Sequence, residues 1–163
     1  METPNKQNTL YLPIKQVYFD QIIAGTKKEE YREISANTYK KYLQCDEANL
    51  PFFDEEIVRV DELESLEDLE QLIWFCNDGK FPYFFREDIK FLNLAVGYNK
   101  VRDTATVEVT SITAEIGRNP KGQLLRFDLD EQGGFHLNPN GKFCIWQAVF
   151  HLGKILEKNI VSK

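Results

Sequence analysis

The sequence predicts an α+β protein, and three observations carry that reading: an apolar residue every fourth position near the start, alternation of apolar and polar residues through the second half, and a hydrophobic share of 42% beside 28% charged residues. The first is the period of a helix with one buried face. The second is the period of half-buried strands. The third describes a soluble globular chain rather than a disordered one. A chain of 163 residues can bury the core of one domain without metals or disulfides.

Residues 9 to 12 read as a short first strand. Ile14, Tyr18 and Ile22, widened by Phe19 and Ile23, then form the stripe of a helix that Pro13 starts and Gly25 ends. Residues 29 to 34 read as extended, with Glu30 and Arg32 to one side and Tyr31 to the other. Residues 35 to 43 suit a short helix capped by Ser35, with Tyr39 and Leu43 one turn apart. From about 44 to 62 the chain is acidic and irregular. Ser65 then opens a helix with Asp68 as its capping-box partner, Leu66, Leu69 and Ile73 on one face, and Gly79 as its end. Three strands follow, at 89 to 96, 104 to 112 and 143 to 152. In the second, Val107 and Val109 face one way and Thr106, Glu108 and Thr110 the other. Asn140-Gly141 before the last strand reads as a hairpin turn that uses positive φ, and residues 117 to 134 read as a mobile loop.

The net charge of -6 runs against nucleic acid, whose nonspecific binding depends on basic residues that release counterions. Its distribution reverses that judgment. Residues 46 to 70 hold 11 acids against the single base Arg59, which leaves 15 acids against 19 bases elsewhere. Cys45, Cys76 and Cys144, an odd number at wide spacing, argue against a disulfide framework and against a zinc site. The N-terminal METPNKQNT lacks the apolar core of a secretion signal, and no apolar run is long enough for a bilayer. A cytoplasmic, reducing location without membrane contact is the expectation, and the oligomeric state stays open.

The segment GTKKEEYR, residues 25 to 32, has the spacing G-x-K-x-x-E-x-R on Gly25, Lys27, Glu30 and Arg32. On a helix-to-strand turn near the start of a small chain, this resembles the ASCH family, whose domains share the PUA-like β-barrel. Gly97-Tyr98-Asn99, the strand of Glu108, and Leu152-Gly153 with Ile155 are similar to more distant pieces of that family. The resemblance covers most of the chain apart from an acidic helical insert at about 44 to 88. It implies a single domain over residues 1–163, built as a PUA-like mixed β-barrel flanked by two or three helices. It also implies RNA or a nucleoside- or nucleotide-like small molecule as partner; no cofactor or metal is expected.

Lys27 and Arg32 suit an anion cradle, a point charge and a planar guanidinium that Glu30 would orient; the same three residues also suit an ion-pair brace for the turn. Tyr31, Tyr39, Tyr98 and Asn99 are the further ligand-binding candidates, near the matched pieces. Some family members resemble amide hydrolases acting on a modified nucleoside, which use a lysine of this motif, a threonine three residues later and a distant strand glutamate. A hydrolase acting on a modified nucleoside or RNA is therefore the alternative reading. Lys27 and Glu108 match the proton-transfer pair, but Glu30 stands where the threonine is needed, so binding ranks ahead of hydrolysis. A third reading is a protein-interaction module, with Trp74 and Phe75 of the acidic insert docking a partner. Lying across the cleft, the insert would instead repel RNA and admit only small ligands. Phe81, Tyr83, Phe84 and Phe85, running into Arg86, suit either a base-stacking platform or the core. Residues 134 to 142 lack Walker A spacing, residues 128 to 139 lack the ligands of a calcium loop, and His136 and His151 have no zinc spacing around them.

Overall fold

Alternating apolar residues build the larger of two sheets. In the computed structural model, which describes residues 2–161, β1 (Thr9–Ile14) and β2 (Glu29–Glu33) flank a nine-residue helix, α1 (Gln16–Ala24). Later come β3 (Phe91–Val96), β4 (Thr104–Ile116) and, last, β8 (Trp146–Asn159). Their order in the sheet is β1-β3-β4-β8-β2. β1 runs parallel to β3 with Leu12 opposite Leu94, and β3 runs antiparallel to β4 with Leu92 opposite Val107. These four side chains are fully buried, as the alternation requires. The smaller sheet has the order β6-β5-β7, from β5 (Arg126–Leu129), β6 (Phe135–Leu137) and β7 (Phe143–Cys144). Among the described residues neither sheet closes on itself. The α+β class therefore stands, while the expected barrel is not present as a closed ladder.

The helices are shorter and more numerous than expected: α1 is joined by α2 (Tyr39–Tyr42), α3 (Val60–Glu64) and α4 (Leu69–Trp74). Several boundaries move for local reasons. Pro13 lies in β1 opposite Ala95, on an edge strand, the place in a sheet that tolerates proline. Thr38 rather than Ser35 caps α2: the Tyr39 N–H donates to the Ser35 carbonyl at 3.0 Å, so residues 35–38 form a turn of their own. Asp68 is itself the N-cap of α4, with extended backbone and a carboxylate accepting from the Gln71 N–H at 2.8 Å. Ser65 instead ends α3, its hydroxyl donating to the Glu62 carbonyl at 2.7 Å.

The chain divides into two compact units. One comprises residues up to 30, 87–113 and from 149 onward; the other comprises 31–86 and 114–148. Met1 and residues 162–163, included in the single-domain reading, lie outside the described residues. The first unit has Leu12, Phe19, Ile22, Leu92, Leu94 and Val107 at its core; the second has Ile34, Tyr39, Ile73, Cys144 and Trp146. In the second unit the segment from 117 to 134 is more ordered than a loop, since Arg118 bridges Leu124 and β5 lies within it. Asn140-Gly141 is not a two-residue hairpin, because β6 and β7 are separated by β5. Gly141 is not among the positive-φ glycines. It is needed because a Cβ there would meet the Phe127 backbone.

Candidate functional site

The site in the first unit begins with the way α1 stops. Gly25 adopts the left-handed conformation at φ 80°, which costs glycine nothing. The chain then folds back so that the N–H groups of Thr26 and Lys27 both donate to the Gln21 carbonyl, at 3.0 and 3.1 Å. Downstream, the Leu152 N–H donates to the Lys28 carbonyl at 2.9 Å, tying the turn to β8. The lysine pair is thereby pinned at both ends before any side chain is considered.

The Lys27 side chain is only 18% exposed. Its Nζ lies 4.0 Å from Oε1 of the buried Glu30 and 5.4 Å from the centre of the Tyr18 ring. Carboxylate and ring face together hold the charged end of the side chain in place and restrict its rotamers. Beside it opens a cleft of about 350 Å³, walled by Ile22, Val107, Leu152 and Ile155, with Lys27 and Lys28 as its cations and Gly25 and Gly153 as bare backbone. Nothing would lie within 4 Å of a Cβ on Gly25, so the backbone there is open to an approaching guest. A slot with apolar walls and a few fixed polar groups is the usual composition of a small-ligand site.

Glu108 is not among the residues lining this cleft. Val107 is, and one residue along a strand reverses the face. The Glu108 carboxylate instead lies against Gly153, where any Cβ would collide with it. Tyr98 is 87% exposed and Asn99 is exposed with it; neither lines the cleft. Lys28, Ile22 and Val107 were missed in the sequence. Lys28 falls at a free position of the motif, and the two apolar residues are indistinguishable from core. Leu152, Gly153 and Ile155 did carry a signal as one of the distant matched pieces.

The remaining candidates belong to the second unit. Tyr31, 40% exposed, lines a separate cleft of about 480 Å³ with Arg118, Trp146 and Gln147. Arg32 is half-buried and lines neither cleft. Tyr39 is buried, and its hydroxyl donates to the Asn49 carbonyl, so it serves the core. Burial, followed by the neighbouring Cys45 and Asp46, raises its pKa. Phe81 stacks on Phe85 at 5.0 Å and meets Trp146 edge-on at 5.1 Å, while Tyr83 is buried with its hydroxyl donating to the Leu72 carbonyl. Of that aromatic run only Phe84 is exposed. Trp74 packs against Phe127 and Phe135, which turns the expected docking face of α4 inward. The exposed apolar residues of the acidic stretch are Leu50, Phe52, Ile57 and Val60.

Among the described residues no helix is long and apolar enough to cross a membrane. No family model, no curated protein and no solved structure matches the chain.

Proposed function

We propose that the chain is an ASCH-like, PUA-like protein that binds one nucleotide at a time in the cleft beside Lys27, whether a free nucleoside or nucleotide or an unpaired residue of an RNA strand. The single observation behind this reading is the mostly buried Lys27 ammonium, oriented by Glu30 and Tyr18 at the wall of an apolar slot of about 350 Å³. That volume is at the small end of ligand sites, suited to one ring system with its substituents. The apolar walls take the faces of a planar guest, and the two adjacent lysines take an anion at its edge. Arg32 has no part in this version of the site.

Binding is favoured over turnover because the proton-transfer scheme needs Lys27 and Glu108 to share one substrate, and Glu108 is not in the cleft that Lys27 lines. The test is equilibrium binding of a panel of mononucleotides and of a short single-stranded RNA across a range of salt concentrations. Lys27→Ala should weaken binding by roughly tenfold or more, since a hydrogen bond to a charged group contributes about 1.5–3 kcal/mol. Affinity for the strand should fall with salt if the phosphate is held by the lysines. Equal affinity in the wild type and Lys27→Ala would sink the reading.

A further inference from the structure

Asn77, Asp78 and Gly79 take φ of 48°, 56° and 82° at three successive positions. Left-handed backbone is costly for the first two, which carry side chains, and such conformations gather where a chain is shaped around a ligand. The Lys80 N–H closes the turn by donating to the Asn77 carbonyl at 3.1 Å. The turn brings Gly79 to the wall of the cleft of about 480 Å³ that Tyr31 also lines, and a Cβ on Gly79 would have nothing within 4 Å. Bare backbone is thus open to a flat guest on one side of the cleft.

Glu115, Arg118 and Gln147 line the same cleft. The Gly117 N–H donates to the Ile145 carbonyl at 2.7 Å, which holds the end of β4 against the start of β8. The Gln147 amide nitrogen lies 3.6 Å from where a Cβ on Gly117 would stand, so Gln147 and, by alternation, Glu115 project from one face. Glu115 is exposed and Gln147 half-buried. Arg118 donates from Nη1 to the Gly122 carbonyl at 2.6 Å, which orients the guanidinium while using one of its five donors. Tyr31, partly exposed, offers a ring.

A fixed acceptor, a planar donor and an open ring in one cleft match one nucleobase better than the rest. A carboxylate only accepts, and its two oxygens span two parallel N–H groups. Guanine carries two adjacent donors, N1–H and the 2-amino group, whereas every donor on the pairing edge of adenine, cytosine or uracil stands beside acceptors alone. A guanidinium pairs with O6 and N7 of the same guanine, and an aromatic ring stacks on the face of any base. We propose that this cleft is a guanine-selective site, in which Glu115 accepts from N1–H and the 2-amino group, Arg118 donates to O6 and N7, and Tyr31 stacks on the ring. It shares no lining residue with the cleft beside Lys27 and takes the base without a phosphate.

The probes are guanosine, inosine and adenosine, titrated into the full chain by calorimetry while backbone amide shifts are followed by NMR. Inosine keeps O6 and N1–H but lacks the 2-amino group. Guanosine should bind roughly tenfold more tightly than either, the discrimination expected of one bidentate pair. Glu115→Gln should remove that preference, and Lys27→Ala should leave it intact. The amides of Gly79, Glu115 and Gln147 should shift. Equal affinity for guanosine and adenosine, no guanosine binding at millimolar concentration, or a preference that survives Glu115→Gln overturns the proposal. Shifts confined to Gly25, Lys28 and Gly153 overturn it too, while leaving the reading of the Lys27 cleft in place. The wild-type ranking and shift map decide the question even if a variant fails to fold.

Discussion

Gly25, Gly141 and Gly153 lack a side chain for three different reasons, and their replacements separate the effects. Gly25 occupies the left-handed region with open space around it, so Gly25→Ala should cost about 1–2 kcal/mol from backbone strain alone. A methyl group at 141 would run into the Phe127 backbone, which cannot swing aside; Gly141→Ala should cost on the order of 3 kcal/mol or more. At 153 the obstacle is the end of the Glu108 side chain. That end can rotate, so Gly153→Ala should stay within about 1 kcal/mol of the wild type. Urea midpoints in the order 153 above 25 above 141 would bear this out, and a destabilised 153 variant beside a tolerant 141 variant would refute it. Gly25 was legible in the sequence because it follows an amphipathic stripe. The need for glycine at 141 was not, since it depends on a strand fourteen residues away.

Helix ends give a second comparison, at the level of elements. Asp68 caps α4 through the Gln71 N–H, while Ser65 only donates to the end of α3. Asp68→Ala should therefore cost about 1 kcal/mol and Ser65→Ala less, a ranking thermal melts can read. The two tryptophans differ in the same spirit. Trp146 is buried and its Nε1 donates to the Phe75 carbonyl at 2.9 Å, whereas the Trp74 Nε1 is buried without a hydrogen-bond partner. Trp74→Phe loses ring area but also removes an unsatisfied donor, a penalty of about 1–3 kcal/mol, so the two nearly offset. Trp146→Phe loses area and strands a carbonyl, and should be the more destabilising of the pair in denaturant titrations. Periodicity revealed that α1 and the strands exist, because one face of each is apolar. It misplaced the starts of α2 and α4, because Ser, Thr and Asp are interchangeable as caps until backbone angles choose among them.

Alkaline pH tests the molecule as a whole. Burial raises the pKa values of both Tyr39 and Tyr83 above their ordinary value. Tyrosines in the unfolded chain lose their protons near about 10, while the buried ones keep theirs to higher pH. Above that point the unfolded state releases protons that the folded state holds, so this contribution is full below about pH 10 and is lost as pH rises further. Stability measured by urea should fall more steeply above about pH 10, where the tyrosines of the unfolded chain ionise. Tyr83→Phe should show a shallower fall, and an identical slope would remove Tyr83 as a source.

By itself the sequence determined the helix-then-strand plan, the end of α1 and the lysine turn that follows it, because these depend on neighbours within a few residues: a periodic stripe, a glycine, a run of alternating side chains. Only the tertiary structure decided that neither sheet closes among the described residues, that Glu108 lies against Gly153 while Val107 and Leu152 wall the cleft of Lys27, and that Phe75 bridges Phe143. The physical reason is common to all three. Strand order and the face a residue shows to a distant partner are set by long-range pairing, and a one-residue difference in register reverses the face without altering any local pattern.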